Sequence, residues 1–383
     1  MLGDKKAAEP IEAALREALD ADDVCILSMQ GLGTDEELHV VVESRRKIGT
    51  SLLAGKPAVL PFVNLALSRS MMDQLQCARL WAKREVPPVE PMWHGERYRH
   101  DRIRVVYLSG DFQTHAVAFL IAGVFEHHDR TRFETIAVSY GDDDGSEMRT
   151  RLRKAFDRFI DTAGSSDFEI ATLLRQMEAD IVIDLKGHTE DGRPGILAYR
   201  PAPVQVNYLG FPGTLGAPTM DYLITDPIVT PPDEKRHYSE KLVFLPGSYL
   251  VTDQKRAIAG SPPSRVECGL PPTGFVFCCF NNTYKITPPV FDVWMRLLVA
   301  VPGSVLWLIA DNRWAEANLR RQAQARGVDP ARLVFAPRVK LPEHLARHRH
   351  ADLFVDTWPY CAHTTATDAL WAGLPLLTLT GRS

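Results

Sequence analysis

The sequence predicts an α/β protein: two Rossmann-like domains, each a doubly wound parallel sheet, preceded by a short helical segment. Three observations carry this. Apolar strands alternate with amphipathic helices from Arg102 to the end of the chain, which implies βαβ units. A stretch rich in Pro, Ser and Gly at residues 250–273 divides the alternation into two halves, as a hinge would. Several strands end in small polar clusters, and ligands of open α/β sheets sit beyond the carboxyl ends of the strands.

The 383 residues are enough for two domains, with ordinary apolar and charged fractions. A net charge of -4 gives no support for a nucleic-acid or membrane-surface role. There is no apolar run of spanning length and no basic-then-hydrophobic N-terminus, so a cytoplasmic protein is expected. The six cysteines show no CxxC spacing, and the adjacent Cys278 and Cys279 read as core residues of an apolar strand.

Residues 1–97 form the helical segment and its linker. Pro10 to Ala21 has Ile11, Leu15 and Leu19 at helical spacing, Leu60 to Trp81 is amphipathic, and Val86-Pro-Pro-Val-Glu-Pro91 breaks the pattern. Residues 98–255 make the first domain. Its expected strands are 103–108, 133–140, 180–185, 204–209, 222–226 and 241–245, with helices over 116–125, 148–159 and 168–177. Residues 256–383 make the second, with strands over 275–280, 304–310, 333–336, 353–356 and 374–379. Its helices are expected over 290–299, 316–326, 342–347 and 368–372. Two such domains facing a cleft are the glycosyltransferase architecture known as GT-B.

The second domain carries the chemistry. In Phe275-Val-Phe-Cys-Cys-Phe-Asn-Asn-Thr-Tyr-Lys285 a buried strand breaks into Asn281, Asn282 and a lone lysine. In Ala351-Asp-Leu-Phe-Val-Asp356 a second strand ends, and a helix begins at His363-Thr364-Thr365 with Asp368 in its first turns. A helix N-terminus there presents free N–H groups to an anion such as a phosphate. Lys285 is a compact cation suited to diphosphate oxygens, or else a solvated loop lysine. His363, Thr364, Thr365 and Asp368 could contact phosphate and a ribose hydroxyl, or simply cap a helix and complement its dipole. This half is therefore read as binding a nucleotide diphosphate.

In the first domain His115 follows the first strand, in Ser109-Gly110-Asp111-Phe-Gln-Thr-His115. Its imidazole suits general-base work or a hydrogen bond to a pyrophosphate, although most loop histidines do neither. His188, in Lys186-Gly187-His188-Thr189, has the same placement. His127 and His128 end a helix, and His348 and His350 read as a solvated face. No His/carboxylate set has metal-ligand spacing, so no metal and no cofactor are expected. The absence of GxGxxG and GxxxxGK[ST] argues against NAD enzymes and P-loop NTPases. Gly210-Phe-Pro-Gly213-Thr-Leu-Gly216 would permit close backbone approach to a sugar or phosphate, or form a plain turn.

From about Asp101 onward the chain resembles the O-linked N-acetylglucosamine transferase family, including its bacterial and SPINDLY-like members. The motifs that carry the likeness include Tyr199-Arg-Pro-Ala-Pro-Val-Gln205, Tyr208-Leu-Gly-Phe-Pro-Gly-Thr214, Met220-Asp-Tyr222, Tyr238-Ser-Glu-Lys241, Phe280-Asn-Asn-Thr-Tyr-Lys285 and His363-Thr-Thr…Asp368-Ala-Leu-Trp-Ala-Gly373. The resemblance implies a hexosyltransferase that moves N-acetylglucosamine from UDP-GlcNAc to Ser or Thr hydroxyls of proteins, with inversion and without a metal. By position it makes His115 the proton acceptor and Lys285 the residue on the diphosphate. Asn282 contacts the nucleotide; Val339, Lys340 and Leu341, with His344, Leu345, Ala346 and Arg347, match stretches around the uracil. His363, Thr364, Thr365 and Asp368 match the phosphate and ribose contacts.

The resemblance also implies an array of tetratricopeptide repeats ahead of the catalytic region, of which residues 1–97 could hold only a remnant, and further helices beyond Ser383. A C-terminally truncated chain suggests another outcome, an inactive nucleotide-sugar-binding or scaffolding fragment. A GDP-fucose-dependent protein O-fucosyltransferase, as among SPINDLY-like members, is the third.

Overall fold

The computed structural model describes residues 45–380 apart from 58, 87 and 312, together with two short antiparallel strands, β1 (Gln30–Gly31) and β2 (Leu38–His39). The helix expected over Pro10 to Ala21 lies outside the described residues. Two compact units follow. One is built on Ser70–Arg256 with Ser51–Asn64, the other on the described residues from Ala257 onward with Leu65–Arg69.

The first unit has seven parallel strands: β3 (Ile103–Ser109), β4 (Phe133–Ser139), β5 (Arg158–Asp161), β6 (Ile181–Asp184), β7 (Val204–Asn207), β8 (Tyr222–Thr225) and β9 (Lys241–Phe244), in the order β5-β4-β3-β6-β7-β8-β9. The chain reverses direction across the sheet between β3 and β6, and that reversal is the switch point at which such sheets bind ligands. Val105, Val106, Tyr107 and Leu108 are all buried, the continuous apolar run of a strand covered on both faces. The helices of the described N-terminal segment are α1 (Arg45–Leu53), α2 (Pro61–Leu67) and α3 (Met71–Glu85). Those between the strands of this unit are α4 (Ala116–Glu126), α5 (Glu147–Ala155), α6 (Asp167–Gln176) and α7 (Pro194–Ala198).

Two departures from the sequence reading occur here. The helix expected over 148–159 stops at Ala155, and β5 begins at Arg158. A tertiary contact ends it: the Asp157 carboxylate accepts from the Thr135 N–H (2.9 Å) and hydroxyl (3.0 Å), pulling the chain into register with β4. Phe156 then joins Phe112 and Phe125 in an aromatic cluster, with centroids 4.5–6.0 Å apart. The glycine-bearing loop after β7 spends its small residues inside the protein. A Cβ on Gly210 would lie 1.9 Å from the Leu185 carbonyl oxygen, and one on Gly216 (φ +65°) 2.4 Å from the Arg79 nitrogen in α3. Its partner is the protein's own backbone.

The second unit has five parallel strands: β10 (Val276–Cys279), β11 (Val305–Ile309), β12 (Leu333–Ala336), β13 (Leu353–Val355) and β14 (Leu376–Leu377), in the order β12-β11-β10-β13-β14. Its switch point lies between β10 and β13. The helices are α8 (Pro288–Ala300), α9 (Arg313–Ala325), α10 (Leu341–Arg347) and α11 (Thr364–Trp371). The core packs around Trp307, which is fully buried with the Phe280 ring edge-on at 5.0 Å. His348, expected on a solvated face, is 1% exposed; its Nδ1 donates to the His344 carbonyl (2.7 Å) and its ring meets Phe280.

Candidate functional site

Each sheet gathers polar side chains at its own switch point. In the first unit, β3 runs out into Ser109–His115, and Phe112 anchors that loop in the aromatic cluster. The buried Arg149 braces it from α5, donating to the Phe112 carbonyl (3.0 Å) and the Ser139 hydroxyl (2.8 Å). The adjacent loop leaves β6 at Asp184, whose carboxylate accepts from the N–H groups of Lys186 (2.9 Å) and Gly187 (3.1 Å). Burial pushes Asp184 up to about 6. The Lys186 ammonium reaches across to Asp111 Oδ1 at 2.9 Å, and Asp111 Oδ2 lies 3.4 Å from His115 Nδ1.

His115 is the N-cap of α4, and its Nδ1 accepts from the Val117 N–H at 3.2 Å. A backbone N–H can only donate, so the neutral ring carries its proton on Nε2. Burial, reinforced by the Lys186 charge and opposed by Asp111, holds the ring below the usual histidine value. His115 therefore offers a hydrogen-bond donor. His188 plays an internal part: buried, it donates from Nε2 to the Leu215 carbonyl (2.7 Å). The recurring motifs serve the same frame. Gln205 donates to the carbonyls of Leu197 and Thr219, Arg200 holds Asp221, and the buried Glu240 accepts from Thr214 and the Leu215 N–H.

In the second unit the loops after β10 and β13 interlock. Asn281 is 1% exposed; its amide donates to Asp356 Oδ1 (3.0 Å) and the Thr357 hydroxyl (2.7 Å), and its carbonyl accepts from Thr365 on α11. Asp356 Oδ1 also takes the N–H groups of Thr357 (2.7 Å) and Ala362 (2.8 Å), and Oδ2 the Thr378 hydroxyl (2.7 Å). On this frame sits Lys285, 8% exposed, its ammonium 3.0 Å from the Cys361 carbonyl and 3.7 Å from the centre of the Tyr360 ring. Burial pushes Lys285 down to about 8, against the opposing pull of Asp356.

His363 opens α11 without capping it through its side chain, so the first-turn N–H groups of Thr364 and Thr365 keep their donor capacity. Its ring packs edge-on against Tyr360 (5.4 Å), and burial together with the Lys285 charge holds it neutral, at about 3. A buried ammonium beside the start of a helix suits a negatively charged group, since both favour negative charge.

The remaining expected residues fall into two further groups. Asn282 is exposed and its carbonyl accepts from Arg338 (3.2 Å), which also pairs with Asp311 (3.0 Å). Val339 and Lys340 are exposed beside Arg338, and Leu341 begins α10. On α10, His344 Nδ1 accepts from Arg347 (2.6 Å), which turns the protonated Nε2 toward Asp368, 3.7 Å away. Leu345 and Ala346 are each 1% exposed and face the core, and the Arg347 guanidinium lies 4.5 Å from the centre of the Phe280 ring. Sequence reasoning assigned no role to Asn281, Asp356, Asp111 or Lys186. The sequence signal common to them was a polar residue within two positions of the end of an apolar strand.

The family model "Glycosyl transferase family 41" matches residues 86–260 and 262–383. Among curated relatives, the Arabidopsis thaliana protein described as probable UDP-N-acetylglucosamine--peptide N-acetylglucosaminyltransferase SEC is 37% identical over 364 residues, covering 90% of this chain and 37% of the relative. The tomato (Solanum lycopersicum) protein of the same description, SPINDLY, is 33% identical over 316 residues, covering 79% and 33%. This chain thus spans about a third of the length of those relatives. Among solved structures, a mutant O-GlcNAc transferase from Thermobaculum terrenum superimposes with a TM-score of 0.73 at 32% identity, covering 88% of this chain and 66% of that one.

Proposed function

The chain belongs to glycosyl transferase family 41, with the two parallel α/β units of the GT-B class, and we propose that it is an inverting protein O-glycosyltransferase using UDP-GlcNAc. The observation that carries the reading is Lys285, a buried ammonium beside an uncapped helix start at the β10/β13 switch point. In the reaction a protein Ser or Thr hydroxyl attacks the anomeric carbon from the side opposite the nucleotide. The new C–O bond forms as the bond to the diphosphate breaks. Lys285 and the N–H groups of Thr364 and Thr365 offset the charge arriving on UDP. We assign the hydroxyl proton to an oxygen of the departing diphosphate, because His115 presents Nε2–H, a donor. Asp368 and the segment Val339 to Leu341 are assigned to the ribose and uracil.

The names of the relatives support the donor and a protein acceptor. We place the activity in the cytoplasm, since Cys77, Cys268, Cys278, Cys279 and Cys361 are all free thiols. No helix among the described residues is long and apolar enough to cross a membrane.

Calorimetric titration with UDP and GDP, paired with transfer of labelled sugar to a peptide, tests the reading. UDP is expected to bind at least about tenfold tighter than GDP. Its affinity should fall to about half between pH 7 and 8 and then weaken by up to about tenfold per pH unit as Lys285 gives up its proton. A preference for GDP would reassign the donor to GDP-fucose. Tight UDP binding without turnover by the purified chain would make it a nucleotide-sugar-binding protein.

A further inference from the structure

The Lys186–Asp111 pair is a charged contact that the proposed reaction leaves unused. Lys186 is 5% and Asp111 7% exposed, and each stands on the exit loop of one of the two strands that flank the switch point, β6 and β3. Burying such a pair is costly in desolvation, and apolar residues of the same volume would hold two loops together equally well. Its surroundings are tightly fixed. The N–H of Lys186 is bound by Asp184, the backbone at Gly210 presses on Leu185 and Lys186, and Phe112 roots the Asp111 loop in the core.

The charged groups that act on His115 are Asp111, on its own loop, and Lys186. Behind them stand Asp184 and the Tyr140 phenol, which burial and the two carboxylates keep protonated. Asp111 has one oxygen for each neighbour: Oδ1 on Lys186 at 2.9 Å and Oδ2 at 3.4 Å from His115 Nδ1. Left to itself, a buried carboxylate at that distance would draw a proton onto Nδ1, displacing the Val117 N–H that Nδ1 accepts.

We propose that Lys186 is a positioning residue for His115: by holding Asp111 through Oδ1, it keeps Nδ1 as the acceptor at the start of α4 and leaves the ring proton on Nε2. The nitrogen that serves the reaction is thereby fixed as a donor, suited to an anionic oxygen or a sugar hydroxyl. The relevance of this to catalysis rests on the transferase reading, but the state of the ring does not.

The experiment is an NMR titration of the whole chain carrying labelled histidine, with His115 identified by the signal lost in His115→Gln. Wild-type His115 should show the Nε2–H form at pH 8. In Lys186→Gln, which keeps a donor to Asp111 but no charge, its protonation midpoint should rise by about one pH unit or more. Lys186→Arg should restore the wild-type midpoint. In the transfer assay the acid limb of kcat/KM should move upward in Lys186→Gln by the same amount and return in Lys186→Arg. An unmoved midpoint in folded Lys186→Gln, or a wild-type ring protonated on Nδ1 at pH 8, overturns the proposal. The wild-type measurement decides it even where the variant does not fold. Absence of transfer by the wild type would remove the transferase reading and leave this test standing.

Discussion

Lys285→Met is expected to lower kcat/KM for sugar transfer by at least about a thousandfold while raising the melting temperature of the nucleotide-free protein. The two effects share one cause. Burial holds the Lys285 ammonium at about 8 instead of its ordinary 10.5, so the folded chain bears a charge it would more readily shed. A lysine depressed in the folded state is destabilising wherever both states are protonated. The cost is therefore full below pH 8, fades as pH rises toward 10.5 and is absent above it. A methionine of similar length removes the charge and fills the space. The gain near pH 7 should be about 1–3 kcal/mol, reduced by the lost contacts to the Cys361 carbonyl and the Tyr360 ring. Melting curves at pH 7 and pH 10 check this: the variant should be the more stable at pH 7 and no better at pH 10. Undiminished transfer would remove Lys285 from the reaction, and a lower melting temperature at pH 7 would contradict the burial account.

Asp356→Ala is expected to be the most damaging change in the second unit that spares the apolar core. One carboxylate accepts from Asn281, Thr357, Ala362 and Thr378, so alanine leaves a buried amide and two loop N–H groups without their acceptor. A loss of about 3–5 kcal/mol follows, since such a network fails as a whole. The loop it frees carries the Cys361 carbonyl that orients Lys285, so UDP affinity should fall with stability. Asp356→Asn separates the two effects. Its carbonyl can replace Oδ1, and Thr378 can rotate to accept from its amide, so most of the stability should remain. The missing charge, however, removes the pull that keeps Lys285 protonated, and UDP affinity should begin to fall at a lower pH than in the wild type. Denaturant titration of both variants with UDP binding across pH measures this. An asparagine variant as unstable as the alanine one would show that the negative charge itself holds the loop.

Much of this arrangement was legible in the sequence because it is local. Val276 to Cys279 reads as a strand buried on both faces, Lys285 as the first cation beyond it and His363 as a helix start. What escaped is non-local. Helix α5 looks continuous to Phe159 until Thr135, on a neighbouring strand, claims Asp157. His348 sits in an Arg-His-Arg-His run that reads as solvated, yet the ring lies against Phe280, 68 positions earlier. The side chains of Leu345 and Ala346, in the stretch that the resemblance places around the uracil, are turned to the core by the phase of α10. Lys186 and Asp111 are 75 positions apart, and only the order of the strands brings them within a hydrogen bond.

The adjacent thiols of β10 offer a clock for this lobe. Cys278 and Cys279 are sealed within the middle strand, and burial raises both far above the range in which a thiol ionises at neutral pH, so an alkylating reagent reaches them only when the five strands part. Cys361 is half-buried in the same turn whose carbonyl steadies Lys285. One labelling time course, resolved by peptide, would thus separate loosening of that turn from melting of the sheet beneath it.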